Sequence, residues 1–234
     1  MNIFKEKNSM NQKIVHSLTR CTTTDYEDHL SCIVWFISCN LRCVYCYNDS
    51  LVYSKNGNFS LNDILAFLEK RVGLLDAVVL SGGESTVHDL IRFCKKIKEM
   101  GFKIKLDTNG LNLNQIKQLV KNNLVDFIAL DFKSNKKKFY SITKTYSYNR
   151  WLDTLKYLVG VKFDFEVRTT INTKLLNEMD INEMIDVLYK NNYKKKYYIQ
   201  NFIQTSSNIG NIKYNDYIDI FKLDSSKVSL EFRN

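Results

Sequence analysis

Short apolar runs alternate with helical patterns along most of the chain, and this alternation limits the possible folds more than any other feature. Five of six predicted strands are each followed by a segment whose apolar residues recur every three or four positions. This order is typical of parallel strands joined by crossover helices, so it predicts an α/β fold. The predicted strands are Leu30–Ser38, Asp76–Leu80, Phe102–Leu106, Val125–Leu130, Phe163–Arg168 and Lys196–Asn201, with Val228–Phe232 as a further candidate.

The number of strand–helix units favours one α/β architecture without excluding another. A complete eight-unit barrel takes about 250 residues, whereas six units occupy most of these 234 residues. The pattern therefore favours a partial (β/α)6 TIM-like barrel that is open on one side, and a doubly wound sheet remains the alternative. We expect residues 1–21 to be an N-terminal extension and residues 22–234 to form a single domain.

The composition is that of a soluble folded protein. Hydrophobic residues make up 44%, aromatic residues 13% and charged residues 25% of the chain, which excludes disorder as the main state. No apolar run approaches the roughly 18 residues of a membrane span, and Met1–Lys13 lacks the apolar region of a signal peptide. We therefore expect a cytoplasmic protein without a membrane partner.

The net charge of +9 raises the question of a nucleic-acid or acidic protein partner. Most of the basic residues are lysines, which lack the planar fork with which arginine reads phosphates and bases. We interpret them as solvated side chains and do not expect a nucleic-acid partner. The Lys-rich segments Ser134–Asn149 and Asn191–Lys196 are accordingly predicted to be surface connections.

Three of the six cysteines, Cys39, Cys43 and Cys46, lie within eight residues at the spacing C-x3-C-x2-C. Three thiolates are too few for a closed tetrahedral zinc site, which needs four ligands. They are enough to hold three irons of a [4Fe–4S] cluster and to leave the fourth iron open. A zinc site completed by a distant residue is the structural alternative.

Polar motifs follow the predicted strands. Because the carboxyl ends of parallel strands meet at one mouth of a barrel, we expect the motifs to lie close together there. Taken singly, each has an ordinary alternative: a Gly-Gly turn, an aspartate that caps a helix, or an arginine in a structural ion pair. The motifs are Ser81-Gly82-Gly83-Glu84, Leu106-Asp107-Thr108-Asn109-Gly110 and Leu130-Asp131-Phe132-Lys133, with Arg168, Gln200 and Asn201 on later strands.

The cysteine spacing, with Tyr45 before the last cysteine, resembles the cluster motif of the radical S-adenosylmethionine (SAM) superfamily. The resemblance implies that the open iron binds the amino and carboxylate groups of SAM. The reduced cluster would then cleave SAM to methionine and a 5′-deoxyadenosyl radical that abstracts hydrogen. It implies no catalytic residue beyond the cluster and SAM, since the cofactors carry the radical chemistry.

The same resemblance implies roles for the strand-end residues. Glu84 resembles the carboxylate that contacts the SAM amino group, and the two aspartates resemble those that fix SAM and an associated monovalent cation, with Lys133 close by. Arg168 would pair with the carboxylate or ribose region of SAM. The implied cofactor-binding residues are Tyr45, Gly82, Gly83, Glu84, Asp107, Asp131, Lys133 and Arg168, and the implied metal ligands are Cys39, Cys43 and Cys46.

Within the superfamily, the chain is similar to the anaerobic ribonucleoside-triphosphate reductase activating proteins, through Lys70–Asp76, Lys103–Gly110 and Glu166–Thr170. This similarity implies that the substrate is a glycine of that reductase and that a low-potential donor such as flavodoxin or ferredoxin supplies the electron. The alternatives are activation of another glycyl-radical enzyme and a small-molecule radical SAM reaction such as that of 7-carboxy-7-deazaguanine synthase. A non-catalytic Fe–S or zinc module that binds nucleic acid is a third.

The chain departs from these relatives by the loss of prolines, since it contains none. Ser85 stands where the relatives usually have proline after Gly-Gly-Glu, and Val44 stands in the last cysteine gap. Every ligand-type residue is retained, so we interpret the losses as changes of loop stiffness.

Overall fold

The structure is a computed structural model that describes residues 10–205, 207–213 and 216–233. Its strands are β1 (Lys13–Thr22), β2 (Ser31–Phe36), β3 (Phe59–Ser60), β4 (Ala77–Gly82), β5 (Lys103–Thr108), β6 (Phe127–Asp131), β7 (Phe165–Ile171), β8 (Tyr197–Asn201) and β9 (Leu230–Arg233). Its helices are α1 (Asp49–Tyr53), α2 (Leu61–Glu69), α3 (Ile91–Glu99), α4 (Leu113–Lys121), α5 (Phe139–Thr143), α6 (Tyr148–Gly160) and α7 (Glu178–Lys190). All six predicted strands and the five helices between them are confirmed.

The chain folds into two compact units, and the first contains residues up to 40, 50–108 and 114–128. Its strands are hydrogen-bonded in the order β3-β1-β2-β4-β5. β2, β4 and β5 are parallel, as predicted, whereas β1 is antiparallel to both of its neighbours. The core of this unit contains apolar side chains from the parallel strands and from α2 and α3.

Strand β1 occupies Lys13–Thr22, a segment that the sequence assigned almost entirely to an N-terminal extension. It gave no strand signal because only Ile14 and Val15 among its residues are buried, and polar side chains follow them. The segment forms a strand because it pairs with β2 through backbone hydrogen bonds. Its own apolar content does not predict this. The proposed division at residue 22 stays a prediction.

The second unit contains residues 41–49, 109–113 and 129 onwards. Its strands follow the order β6-β7-β8-β9, where β6 contributes its last three residues, and β7, β8 and β9 run parallel. The Trp151 ring in α6 stacks on Phe132 with ring centroids 3.7 Å apart, and both side chains are fully buried. Burial of aromatic rings of this size dominates core energetics, so this pair anchors α6.

Ser134–Asn149 was predicted to be a solvated surface connection, and the structure shows instead that part of it is helical and buried. The segment contains α5 and the start of α6. The apolar side chains of Phe139 and Ile142 are buried, and the Phe139 ring meets Tyr148 edge-on at 5.6 Å. The apolar residues of this segment are few and are interspersed with lysines and other polar residues. Helix α5 is also too short to give a clear helical period.

Two helices begin with a capping box, in which two side chains each accept a hydrogen bond from the other residue's backbone N–H. Ser60, predicted as the first cap, accepts a hydrogen bond from Asp63 N, and the Asp63 carboxylate accepts from Ser60 N. Asn177 and Asp180 repeat this arrangement at the start of α7. Each box satisfies backbone donors that the first helical turn would leave unpaired.

No helix in the described residues is long and apolar enough to cross a membrane.

Candidate active site

The three clustered cysteines lie on the loop that follows β2. Cys39 belongs to the first unit, whereas Cys43 and Cys46 belong to the second. Cys46 N donates to Cys43 O at 2.9 Å, which closes a turn between the last two cysteines. Burial raises the pKa of the Cys46 thiol. Over the ranges the structure covers, no three side chains of Cys, His, Asp or Glu form a group suited to a single metal ion.

Backbone hydrogen bonds hold the cysteine loop, residues 41–48, on two sides within the second unit. Arg42 N donates to Thr143 O at 3.0 Å and Val44 N to Ile142 O at 2.9 Å, so the loop is bonded to the end of α5. From the other side, Gly210 N donates to Val44 O at 2.7 Å. These bonds fix the backbone on which Cys43 and Cys46 stand.

In the first unit, Gly82 and Gly83 lie against the backbone that leads into Cys39. Gly83 N donates to Phe36 O at 2.9 Å, and Glu84 N donates to Ser38 O at 2.8 Å. A Cβ atom on Gly82 would lie 2.4 Å from Phe36 N and O, and one on Gly83 would lie 2.1 Å from Ser38 O. The absence of a side chain thus lets the neighbouring backbone approach both glycines closely, and their implied role in cofactor binding stays a prediction. Gly82 also has a φ of +117°, which L side chains rarely adopt.

Gly83→Ala should therefore destabilise the protein by about 1–3 kcal/mol, as overpacking against fixed atoms does. The added methyl group would force the backbone of Ser38 away from its hydrogen bond with Glu84 N. Urea unfolding measures the effect. Gly160→Ala is the matched control, because nothing lies within 4 Å of its Cβ position, and we expect it to be neutral or stabilising. Equal stability of the two variants would contradict the close approach.

The Glu84 carboxylate is buried and held by hydroxyl groups. Glu84 Oε1 accepts from Thr108 Oγ1 at 2.8 Å, from Thr86 Oγ1 at 2.5 Å and from Thr86 N at 3.2 Å. Hydrogen bonds from neutral donors to an ionised carboxylate are stronger than neutral pairs. The predicted SAM ligand thus has a fixed orientation. Thr86 was not predicted, and Thr108 was quoted only as part of its motif.

Asp107, on β5 in the same unit, lies near a hydroxyl group and an ammonium group. Its Oδ2 accepts from Ser81 Oγ at 3.0 Å, and Lys105 Nζ lies 3.8 Å from its Oδ1. The Lys105 side chain is only 9% exposed and also donates to Asp25 O at 2.5 Å. Lys105 had no predicted role, although residues two apart on a strand share a face.

In the second unit, Asp131 stands between two cations. Arg168 Nε lies 2.7 Å from Asp131 Oδ1, and Lys133 Nζ lies 2.9 Å from Asp131 Oδ2. Burial raises the pKa of the Asp131 carboxyl, but Arg168 and then Lys133 outweigh it and lower the pKa to about 2. Burial lowers the pKa of Lys133, and the Asp131 carboxylate outweighs it and raises this pKa. The sequence left the role of Arg168 open; the structure shows the ion pair, which joins residues 37 positions apart.

The depressed pKa makes a testable contribution to stability. The pKa of Asp131 is lower in the folded state, so its contribution of about 2 kcal/mol is complete above the unfolded pKa near 4 and disappears as pH falls towards 2. Asp131→Asn should lower the free energy of unfolding at pH 6, and its difference from wild type should shrink by about 1 kcal/mol at pH 3. Urea unfolding of the cofactor-free protein measures this difference.

Asp153→Asn, on the exposed side of α6, is the control. Surface changes of this kind stay within about 0.5 kcal/mol. A difference between wild type and Asp131→Asn that does not depend on pH would show that the carboxylate is not held ionised by its two partners.

The decisive observation is a match to a family model. Residues 33–188 match the model described as the radical SAM superfamily. The chain belongs to this superfamily. Radical SAM enzymes use a [4Fe–4S] cluster and SAM, and the predicted fold class and enzyme class are thereby confirmed.

Known radical SAM proteins extend this result. A Methanocaldococcus jannaschii protein that bears the name of a glycyl-radical enzyme activating enzyme is 29% identical over 73% of this chain and 73% of its own length. The GTP 3′,8-cyclase of Clostridium perfringens strain SM101 is 32% identical over 65% of this chain and 49% of its own. The crystal structure of Streptococcus suis SuiB bound to S-adenosylmethionine superposes with a TM-score of 0.67 at 18% identity. This superposition covers 84% of our chain and about half, 48%, of SuiB, and it supports the fold alone.

The residues of this radical SAM chain fit the cofactors of the superfamily. Three thiols at C-x3-C-x2-C spacing are the donors that an iron–sulfur cluster requires. Tyr45, between the last two of them, is buried, and its hydroxyl finds no hydrogen-bond partner in the described residues. Lys133 Nζ lies 5.9 Å from the centre of its ring. A buried aromatic face beside a cation and an ion pair suits a ligand with both a flat base and charged groups.

Proposed function

We propose that this radical SAM enzyme activates a glycyl-radical enzyme, and that its substrate is a backbone glycine of an anaerobic ribonucleoside-triphosphate reductase. The observation that carries the first part is the similarity to the M. jannaschii protein, which extends over 73% of both chains. The second part rests on the resemblance of Lys70–Asp76, Lys103–Gly110 and Glu166–Thr170 to activating proteins of that reductase.

A [4Fe–4S] cluster bound here would supply the electron for reductive cleavage of SAM, and the resulting radical would take a hydrogen atom from the glycine. In our proposal Cys39, Cys43 and Cys46 hold this cluster. The carboxylate of Glu84, oriented by two threonines, accepts hydrogen bonds from the SAM ammonium group. Asp107 and Asp131 help to fix SAM and a monovalent cation.

The charges around Asp131 suit the methionyl carboxylate of SAM. Lys133 and Arg168 place an ammonium and a guanidinium group beside Asp131 in a largely buried place. Both groups carry several N–H donors, and a carboxylate is an acceptor with which such donors form strong, charge-assisted hydrogen bonds. We propose that Lys133 and Arg168 face the methionyl carboxylate and that Tyr45 packs against the nucleoside.

Co-expression with an anaerobic ribonucleoside-triphosphate reductase tests the proposed substrate. Oxygen destroys a glycyl radical and cleaves the chain at that glycine. Mass spectrometry of the air-exposed reductase should therefore show a chain cut at a single glycine in its C-terminal loop. The cut should be absent when the activating chain is omitted. An intact reductase, in the presence of enzyme that does form 5′-deoxyadenosine, would exclude this partner and leave another glycyl-radical enzyme or a small molecule as the substrate.

One observation favours a small-molecule substrate as the second candidate. The C. perfringens GTP 3′,8-cyclase is 32% identical over 167 residues, although this chain spans only about half of its length. The two candidates differ in what stimulates turnover. GTP should increase the formation of 5′-deoxyadenosine only if a nucleotide is the substrate, whereas the reductase should do so only if the first proposal holds.

A further inference from the structure

A basic surface lies directly beside the cysteine loop in the second unit. Residues 132–152 contain Lys133, Lys136, Lys137, Lys138, Lys144 and Arg150 and no aspartate or glutamate. We call the exposed part of this segment, residues 136–150 around α5, the basic face. Lys136, Lys144 and Arg150 are exposed on it. Lys137 and Lys138 are paired with carboxylates of α7, so the positive potential of the face comes from Lys136, Lys144 and Arg150.

The basic face is bonded to the loop that carries Cys43 and Cys46. The last two residues of α5, Ile142 and Thr143, accept the backbone hydrogen bonds from Val44 and Arg42. Two backbone hydrogen bonds therefore join the helix that carries the basic face, α5, to the cysteine loop. A protein seated on α5 would lie next to two of the three proposed cluster ligands.

Polar contacts with α7 connect the segment that carries the basic face to the rest of the second unit, and the face carries an aromatic pair. Asn135, which precedes it, donates to Asp180 and Glu183 on α7, and Lys138 and Lys137 form ion pairs with the same two carboxylates. Tyr140 and Tyr146 stack with ring centroids 4.3 Å apart, although they are 46% and 85% exposed.

Exposed tyrosines are typical of protein contact surfaces, since tyrosine gives a large contact area at low entropic cost. The sequence suggested only solvated lysines in this segment. The structure adds an exposed tyrosine pair, which a solvated surface does not need.

We infer that the basic face docks the acidic, low-potential electron-donor protein that reduces the cluster. The inference rests on the proposed function only in requiring that the enzyme holds a reducible cluster. One electron leaves the reduced donor and enters the oxidised cluster, the donor is oxidised by one electron, and no bond forms or breaks. Opposite charge steers such transient encounters and raises their association rate constants by about 10- to 1,000-fold.

Two double variants test this inference: one reverses two charges on the basic face, and the other is a matched control elsewhere on the second unit. Lys136→Glu/Lys144→Glu reverses two charges on the basic face, and Lys162→Glu/Lys194→Glu makes the same change at the amino-terminal ends of β7 and β8. The match extends to the backbone, because Lys144 and Lys162 both have positive φ, 63° and 54°. Lys162 and Lys194 are exposed, as are Lys136 and Lys144.

The experiment measures anaerobic bleaching of the cluster by reduced flavodoxin at low and high salt, and the dissociation constant of the flavodoxin complex. Lys136→Glu/Lys144→Glu should lower the bimolecular rate constant and the affinity about tenfold at low salt, with a smaller loss at high salt. Reduction by dithionite and the cluster content should stay at wild-type values. The control pair should behave as wild type.

Three results would overturn the inference. One is an equal loss in both pairs, which would reflect net charge alone; another is an unchanged flavodoxin rate in Lys136→Glu/Lys144→Glu. The third is normal reduction by flavodoxin combined with weaker binding of the glycyl-radical enzyme, which would assign the face to the substrate protein. Because electron entry is measured without a glycyl substrate, failure of the proposed function would appear separately, as normal reduction without a glycyl radical.

Discussion

Cys43→Ala is expected to abolish formation of 5′-deoxyadenosine, because two remaining thiolates cannot hold three irons of a cubane. The variant should bind far less iron and sulfide after anaerobic reconstitution and lose the visible absorption of the cluster. Product analysis after incubation with SAM and dithionite measures the activity. Cys43 stands on a backbone held by hydrogen bonds from both neighbouring segments, so we expect the loss of a ligand without the loss of the fold.

Cys94→Ala is the matched control, since Cys94 is also buried but lies in the apolar core of α3. It removes a thiol of the same type from a place where burial raises the pKa of that thiol to about 12. We expect normal iron content and normal product, with a modest loss of stability. Full cluster content in Cys43→Ala, or loss of the cluster in Cys94→Ala, would contradict the assignment of the ligands.

Glu84→Ala is expected to weaken SAM binding by about 10- to 100-fold. A hydrogen bond to a charged group contributes about 1.5–3 kcal/mol, and about 1.4 kcal/mol corresponds to a factor of ten in affinity. Equilibrium binding of SAM to the reconstituted enzyme measures the change. The substitution also removes the acceptor for the hydroxyl groups of Thr86 and Thr108, so the free energy of unfolding must be measured beside it.

Glu84→Gln separates these two effects. The amide oxygen still accepts from the threonines, but it carries no negative charge for an ammonium group. We expect stability near that of wild type and weakened SAM binding. Wild-type affinity for SAM in Glu84→Gln would show that the carboxylate orients its own turn, Ser85–Val87, and does not contact the cofactor.

The parallel strands and their helices could be predicted because each is a local pattern. A helix was predicted around Leu113–Lys121, where the structure has α4, and Ser60 was predicted as a cap from its position before an apolar stripe. β1 could not be found in this way, because its polar residues are placed by pairing with β2 and not by their own apolar period. Local sequence does not report pairing between segments.

The sequence indicated which residues belong to the candidate site, but it did not indicate their hydrogen-bond and ion-pair partners. The strand-end motifs indicated which side chains to examine. Arg168 pairs with Asp131 across 37 residues of sequence. Thr108 orients Glu84 across 24 residues. The glycines show the same limit: their presence was evident, whereas the backbone that approaches them, Phe36 to Ser38, is visible only in the structure.

The central claim is that three thiolates of this chain hold a cluster with one iron available to SAM. Its most direct test is electron paramagnetic resonance of the anaerobically reconstituted and dithionite-reduced protein, recorded with and without SAM. We predict the signal of a reduced [4Fe–4S] cluster that changes shape when SAM is added. A protein that takes up no such cluster, or one whose spectrum is identical with and without SAM, would contradict the claim.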